Sequence, residues 1–255
     1  MELIKNAISW GNSSGVLLPR EWKGREVKVI LIERTLDIKK EVFKILEPYL
    51  QDVLGIYLVG SHAREEQTER SDIDILVITE KTNKRLEEDK YNLLLISKKE
   101  VEAQLKRNVL PLLPMLKEAK PLLNSGLVEE YKNAKLTKKN LKFHIETTRS
   151  AMKVVKKDIE IAKQTKGEVG DASAYSLILR LRTLYIIECI MKNKKWSNRE
   201  FIKLIKKISG SREAYERYFS AKNKNTLEYK LAIKEAEKLM SYINKEVELL
   251  KKNLG

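Results

Sequence analysis

Cysteine is almost absent from this sequence. Among 255 residues there is one, Cys189, set in the apolar run "LYIIECIM". A disulfide framework is therefore excluded, and the thiol reads as buried and inert in a reducing compartment. Long apolar stretches are also missing, since none reaches the roughly 18 to 20 residues of a membrane span. The opening "MELIKNAISW" lacks the basic start and apolar core of a signal peptide. Neither a long internal repeat nor a low-complexity linker is present. The expectation is a cytoplasmic protein with no membrane contact.

Acidic residues are the minority charge. Lys and Arg number 51 against 36 Asp and Glu, a formal charge of +15. Such an excess points to polyanionic company, either nucleic acid, nucleotide phosphates or an acidic partner protein. A Lys- and Glu-rich surface of the heat-stable kind would give a similar composition. The length suffices for one large domain or two to three smaller ones, each with its own core.

The chain reads as three successive segments. Residues 1–34 alternate short apolar runs with Gly, Asn, Ser and Pro, as a small β unit does, and are too short to fold without a partner. Residues 35–125 alternate helix and strand signals. A helix is predicted from Thr35, with Ile38, Val42, Ile45, Leu46, Tyr49 and Leu50 on one face and Pro48 bending or shortening it. Next come the strand "VLGIYLVG", a short helix at "SHAREEQ", the strand "SDIDILVIT", a polar crossover "EKTNKRLEEDK" and the strand "YNLLLIS". Ser97 and Glu100 form a capping-box pattern for a helix running to about Asn108. Beyond that helix, Pro111, Pro114 and Pro121 break the chain into short pieces.

Residues 126–255 form the third segment, in which the strand signals stop from about Thr137 and the chain reads as four or five amphipathic helices. One carries Leu141, Ile145, Thr148, Met152, Val155 and Ile159 on a single face. Another starts at Ser197 with Glu200 as capping partner and stops at Gly210, and the last runs from about Thr226 to Lys252. The predicted fold class is α+β: a small N-terminal β-hairpin unit, a mixed-sheet domain and a C-terminal all-α helical bundle.

The chemistry concentrates in "YLVGSHAREEQTERSDIDILVI", residues 57–78. In a strand, Asp72 and Asp74 share one side while Ile73 and Ile75 point into the core. Two carboxylates held so close repel each other unless a cation neutralises them. Mg²⁺ suits such a pair, because it takes one or two carboxylates and completes its shell with water and phosphate oxygens. Gly60 allows close approach of a phosphate chain, Ser61 offers a hydroxyl and an N–H, and Arg64 can add a charge-assisted contact. Together they describe a site for a metal-bound nucleoside triphosphate.

The spacing Gly-Ser, ten residues, Asp-x-Asp resembles the signature of the DNA polymerase β-like nucleotidyltransferase superfamily, in particular its minimal nucleotidyltransferase branch. The resemblance implies transfer of a nucleoside monophosphate from an NTP, ATP in the first instance, to a hydroxyl with release of pyrophosphate. Mg²⁺ or Mn²⁺ would be held by Asp72 and Asp74, the triphosphate by Gly60, Ser61 and Arg64. It also implies a third carboxylate on a neighbouring strand. The aligned residue is Asn92, which is neither a good ligand for a second metal nor a base. Reduced activity, a one-metal mechanism and a base supplied by a partner all stay open. Glu87, Glu88 and Asp89 precede that strand, either as a solvated loop or with one of them reaching in.

Residues 1–34 resemble the swapped-hairpin transition-regulator (AbrB-like) fold through Gly11, Asn12, Ser13, Pro19, Arg20, Trp22 and Gly24. This implies a homodimer and DNA contact through residues 1–34. The helical segment resembles the substrate domain of kanamycin-type nucleotidyltransferases and, more loosely, the HEPN fold. Neither His62 nor His144 follows an Arg at the spacing of HEPN ribonucleases, so no ribonuclease activity is expected, and His62 reads as a polar neighbour of the phosphate loop. Arg180 and Arg182 interrupt the apolar "LILRLRTLYII", where they either hold an acidic acceptor or pair with acids such as Glu188. Tyr175, Tyr185, Tyr215 and Tyr218 stack on a base or fill the core.

The acceptor expected is a protein or RNA hydroxyl, because a basic cleft would repel a cationic antibiotic. The alternatives are an aminoglycoside-type small-molecule enzyme, or a catalytically weak, antitoxin-like regulator that binds nucleotide and DNA.

Overall fold

A computed structural model describes residues 3, 5, 7–30, 35–68, 71–110, 112–222 and 231–252. By compactness the chain divides into Met1–Glu41 and Val42–Gly255. In the first unit, β1 (Ile8–Trp10) pairs antiparallel with β2 (Ser13–Gly15). Gly11 turns the hairpin with φ of +59°, a conformation glycine adopts at no steric cost. Large apolar side chains stay in water here: Trp10 is 66% exposed and Val29 70%.

Helix α1 (Thr35–Ile45) ends where Glu47–Asp52 tightens into a 3₁₀ turn with Pro48 near its start. The predicted shortening at this proline is what the backbone does. The sheet of the second unit has five strands: β3 (Val53–Val59), β4 (Ile73–Thr79), β5 (Lys84–Glu88), β6 (Tyr91–Ser97) and β7 (Lys120–Leu123). Their order is β5-β6-β4-β3-β7, with β4 and β6 parallel and the other pairs antiparallel. Central β4 is buried on both sides, with Ile73, Ile75, Leu76, Val77 and Ile78 all 1% exposed or less. One side packs beneath α3 (Lys98–Arg107), α4 (Leu112–Glu118) and α5 (Ser125–Lys132), with Leu76, Ile78, Val101, Leu112, Leu116 and Val128 in contact.

Two strands depart from the sequence expectation. The segment read as a polar crossover contains β5, an edge strand whose side chains are nearly all in water, so no alternation marks it. β7 carries Pro121, and an edge tolerates the missing N–H. The Ser97 cap forms, its hydroxyl accepting from the Glu100 N–H at 3.3 Å, but the Ser97 N–H is taken by the Asn83 side chain at 2.9 Å.

The rest of this unit is helical: α6 (Lys138–Thr165), α7 (Asp171–Met191), α8 (Asn198–Ser209), α9 (Glu213–Lys222) and α10 (Ile233–Lys252). The predicted stripe of α6 from Leu141 to Ile159 is buried throughout. From Ile145 to Ile159 it packs with Leu177, Leu181, Phe201, Ile205, Leu239 and Ile243 into one core, while Leu141 joins Val109, Leu113 and Ile187 in a second. Gly210 ends α8 with φ of +99°, as predicted. The predicted start of the last helix, at about Thr226, lies outside the described residues. Among the described residues no helix is long and apolar enough to cross a membrane.

Candidate active site

Strand β3 passes directly into the five-residue helix α2 (Gly60–Arg64). The junction demands glycine twice over. Its φ is +72°, and a Cβ would lie 3.0 Å from Asp74 Cγ with a carboxylate oxygen nearer still. Asp74 sits opposite Val59 across the β3–β4 pair, so the carboxylate and the Gly60 peptide face each other by register. Asp72 lies just before β4, exposed, while Asp74 is half-buried.

Register also places the expected third position. Asp74 pairs with Asn92 across β4–β6, and Asn92 with Glu87 across β5–β6. Directly paired residues share a face, so Asp74, Asn92 and Glu87 form one row over three strands. Glu87 is exposed, two strands from Asp74, roughly 10 Å by strand spacing. Among the described residues no group of three or more His, Cys, Asp or Glu is arranged to hold a metal ion.

A buried ionic cluster adjoins Gly60. Glu118, the last residue of α4, accepts from the Gly60 N–H at 2.7 Å with one oxygen and from Arg64 Nη1 at 2.7 Å with the other. Arg64 Nε donates to Glu66 at 3.0 Å, and its guanidinium lies 3.8 Å above the Trp196 ring. The Glu66 carboxylate in turn accepts from Ser197 Oγ at 2.5 Å and from the N–H groups of Asn198 at 3.0 Å and Arg199 at 3.5 Å. It thereby caps α8 from 131 residues away. Side-chain exposures of Arg64, Glu66 and Glu118 are 13%, 10% and 9%.

The two carboxyls answer burial differently. Burial pushes Glu118 up, against the opposing pull of Arg64 and the Gly60 N–H. Burial also raises Glu66, but hydrogen bonds from Ser197, Asn198, Arg64 and Arg199 outweigh it and leave the carboxyl below its ordinary value.

The sequence profile of a family described as the nucleotidyltransferase domain matches residues 39–245, which contain this whole constellation. The chain belongs to the nucleotidyltransferase domain family. It is similar to two solved structures. One is a nucleotidyltransferase-like protein from Exiguobacterium sibiricum 255-15, at 12% identity over 83% of this chain and 75% of that one, TM-score 0.39. The other is spectinomycin adenyltransferase AAD(9) from Enterococcus faecialis, with ATP and spectinomycin, at 15% identity over 84% and 100%, TM-score 0.42. No curated protein matches in sequence.

In this nucleotidyltransferase Gly60, Ser61, Arg64 and Asp74 come together at one end of the sheet, with Asp72 at the mouth of β4. Arg180 and Arg182 do not converge, because two residues along a helix turn the side chains apart. Arg180 reaches Thr147 on α6 at 3.4 Å; burial, and after it the Arg180 charge, hold His144 down to about 4. Arg182 reaches the Tyr218 hydroxyl at 3.4 Å and stands 5.2 Å from the Trp196 ring, the ring that Arg64 also covers. Glu188 pairs with Lys192 instead of either arginine. Tyr175 and Tyr218 stack on each other within the helical core. Sequence reasoning missed Glu66, Glu118 and Trp196. Trp196 stands immediately before the Ser197 cap and Glu66 two residues after Arg64 within the same motif, whereas nothing local marked Glu118.

Proposed function

We propose that this nucleotidyltransferase moves a nucleoside monophosphate from an NTP, ATP in the first instance, to a hydroxyl of a protein or RNA acceptor. The acceptor oxygen bonds to the α-phosphorus, the bond to the bridging oxygen breaks, pyrophosphate leaves, and the hydroxyl proton passes to a base. The observation that carries this reading is the closeness of Asp74 to Gly60: Val59 pairs with Asp74 across β3–β4 and a Cβ on Gly60 would lie 3.0 Å from Asp74 Cγ, so the Gly-Ser and Asp-x-Asp segments run side by side.

The donor set fits a divalent cation with few protein ligands: two carboxylates, with the remaining positions open to water and phosphate. Asp72 and Asp74 would hold Mg²⁺ or Mn²⁺, which supplies charge neutralisation on the phosphates when bound. Gly60 and Ser61 bring their backbone against the triphosphate, and the fixed glycine leaves the room it needs. Arg182, beside Trp196, is the better placed of the two arginines to meet an acceptor. The excess of basic residues favours an anionic acceptor over a cationic antibiotic. Cys189, buried and free, accords with action in a reducing cytoplasm.

A second reading is favoured by Asn92 beside Asp74: a regulator that binds nucleotide without turnover and DNA as a homodimer. The apolar exposure of Trp10, Leu17, Val29 and Ile30 supports association of residues 1–34 with a second copy. Domain limits of 1–34, 35–125 and 126–255 belong to the same proposal.

The deciding experiment incubates the protein and its cell extract with each of four α-³²P NTPs and Mg²⁺ or Mn²⁺, then resolves RNA from protein. Label dependent on Asp72 and Asp74, lost in the double alanine variant, establishes transfer and shows the acceptor class. Nucleotide binding without label, together with DNA affinity that falls steeply with salt and disappears on deleting residues 1–34, makes the second reading the correct one.

A further inference from the structure

Two of the donors that would meet phosphate oxygens, the Gly60 N–H and the Arg64 guanidinium, are already in use. We propose that Glu118 is an internal anion occupying the phosphate subsite made by the Gly60 N–H and the Arg64 guanidinium, so that a nucleotide binds fully only when this side chain withdraws. The inference rests on Gly60, Ser61 and Arg64 being the nucleotide site.

Geometry is the first argument. Both carboxylate oxygens are engaged, each at 2.7 Å, by one backbone and one guanidinium donor. A phosphate oxygen takes the same donors at the same distance. The single Gly60 hydrogen cannot serve two anions at full strength, so Glu118 and phosphate compete for it.

Charge is the second. Arg64 is bonded by Glu66 as well as Glu118, and Asp74 stands against Gly60. With Glu118 in place, Arg64 is more than matched by carboxylates, and an incoming triphosphate meets like charge. With Glu118 gone, Arg64 keeps one partner and regains attraction for phosphate.

Position is the third. Glu118 is the last residue of the seven-residue α4, separated by Ala119 alone from edge strand β7, whose register shifts between Ile56 and Tyr57 of β3. Leu112, Leu113 and Leu116 anchor the helix, each 1% exposed or less. The proposed withdrawal is a rotation of this terminal side chain that leaves the apolar anchors buried. Burial already works against its charged form, so moving it to water recovers hydration.

The test is calorimetric titration of the full chain with inorganic tripolyphosphate and with Mg·ATP, comparing wild type with Glu118→Gln and Glu118→Asp. The glutamine keeps the shape and one acceptor but removes the charge. Releasing the closed population should tighten tripolyphosphate binding at least about tenfold. Equal or weaker binding by Glu118→Gln, with wild type binding normally, overturns the proposal and makes Glu118 a scaffold for the loop. If circular dichroism shows that Glu118→Gln does not fold, Glu118→Asp decides, since a side chain one methylene shorter cannot bridge both donors. It should bind more tightly than wild type, and no gain overturns the proposal. Failure of every protein to bind either probe removes the nucleotide site itself, a different failure, and the proposal falls with it.

Discussion

Glu66 is the side chain whose removal has the most calculable consequence. Its carboxylate does two jobs at once, capping α8 through Ser197, Asn198 and Arg199 and pairing with Arg64. Loss of a helix cap costs about 1 kcal/mol. Breaking one partner of a buried ion pair costs about 3 to 5 kcal/mol, but Glu118 remains on Arg64 and keeps that charge compensated, so we take the lower part of the range. With the cap and the pair together, Glu66→Ala should therefore lose about 4 kcal/mol, which for a unit of this size is a fall of roughly 8 to 16 °C in Tm. Glu66→Gln, which keeps the shape and one acceptor, should lose about half as much.

The pH dependence arises from the same contacts. The folded carboxyl lies below its unfolded value, so its contribution is present above the unfolded value and is lost as pH falls through the folded one. The gap between wild type and Glu66→Gln should narrow as pH drops below about 4.5, the ordinary carboxyl value. Urea unfolding measures the first effect, and repeating it from pH 7 to pH 3.5 measures the second. A double-mutant cycle with Ser197→Ala should show coupling of about 1 kcal/mol. An alanine variant within about 0.5 kcal/mol of wild type, the range of an ordinary surface substitution, would refute the reasoning.

Gly60→Ala meets both a left-handed backbone and the Asp74 carboxylate, so it should cost about 1 to 3 kcal/mol and abolish tripolyphosphate binding; full binding at an unchanged Tm would show that the junction is looser than its geometry. Asn92→Asp sets a third carboxylate beside Asp74 in register, where like charges repel. It should lower Tm without metal, recover it with Mn²⁺ and increase label transfer; a melting curve indifferent to Mn²⁺ would count against Asp74 and residue 92 sharing one site. Cys189, 7% exposed with a thiol pushed up by burial, should resist Ellman's reagent until the protein unfolds, and fast modification of the native chain would contradict its burial.

What was legible in the sequence is what local physics writes there. The strands around Gly60 and Asp74 announce themselves as apolar runs, and the α6 stripe keeps its period through Ile159 because one face is buried. The caps at Ser97, Ser197 and Gly210 need only neighbours three or four residues away. β5 stayed hidden because an exposed edge strand needs no apolar face, and β7 because its proline reads as a breaker. The ionic cluster could not be read at all. Glu118 meets Gly60 across 58 residues and Arg64 across 54, and Glu66 meets α8 across more than 130. No local preference marks a glutamate for such a partner.

The charge of the chain and the charge of its site run in opposite directions. The whole sequence is strongly basic, yet Glu66 and Glu118 both bond Arg64, and Asp74 stands against Gly60 beside them. A basic chain is easily read as one that attracts the triphosphate, but here the lysines lie mainly on the surface, where salt screens them within about 8 Å at physiological ionic strength. On the proposed reading, attraction at the phosphates would come from Arg64 and from cations carried in with the nucleotide, and the basic surface would be left to the acceptor. The two ends of the reaction should separate under salt. Raising ionic strength weakens a contact between an anionic acceptor and exposed lysines, whereas the buried cluster is screened far less. KM for the acceptor should climb with salt while KM for the Mg-nucleotide changes little. Equal salt sensitivity of both constants would mean that surface lysines also steer the nucleotide, and that the local carboxylates do not set its affinity.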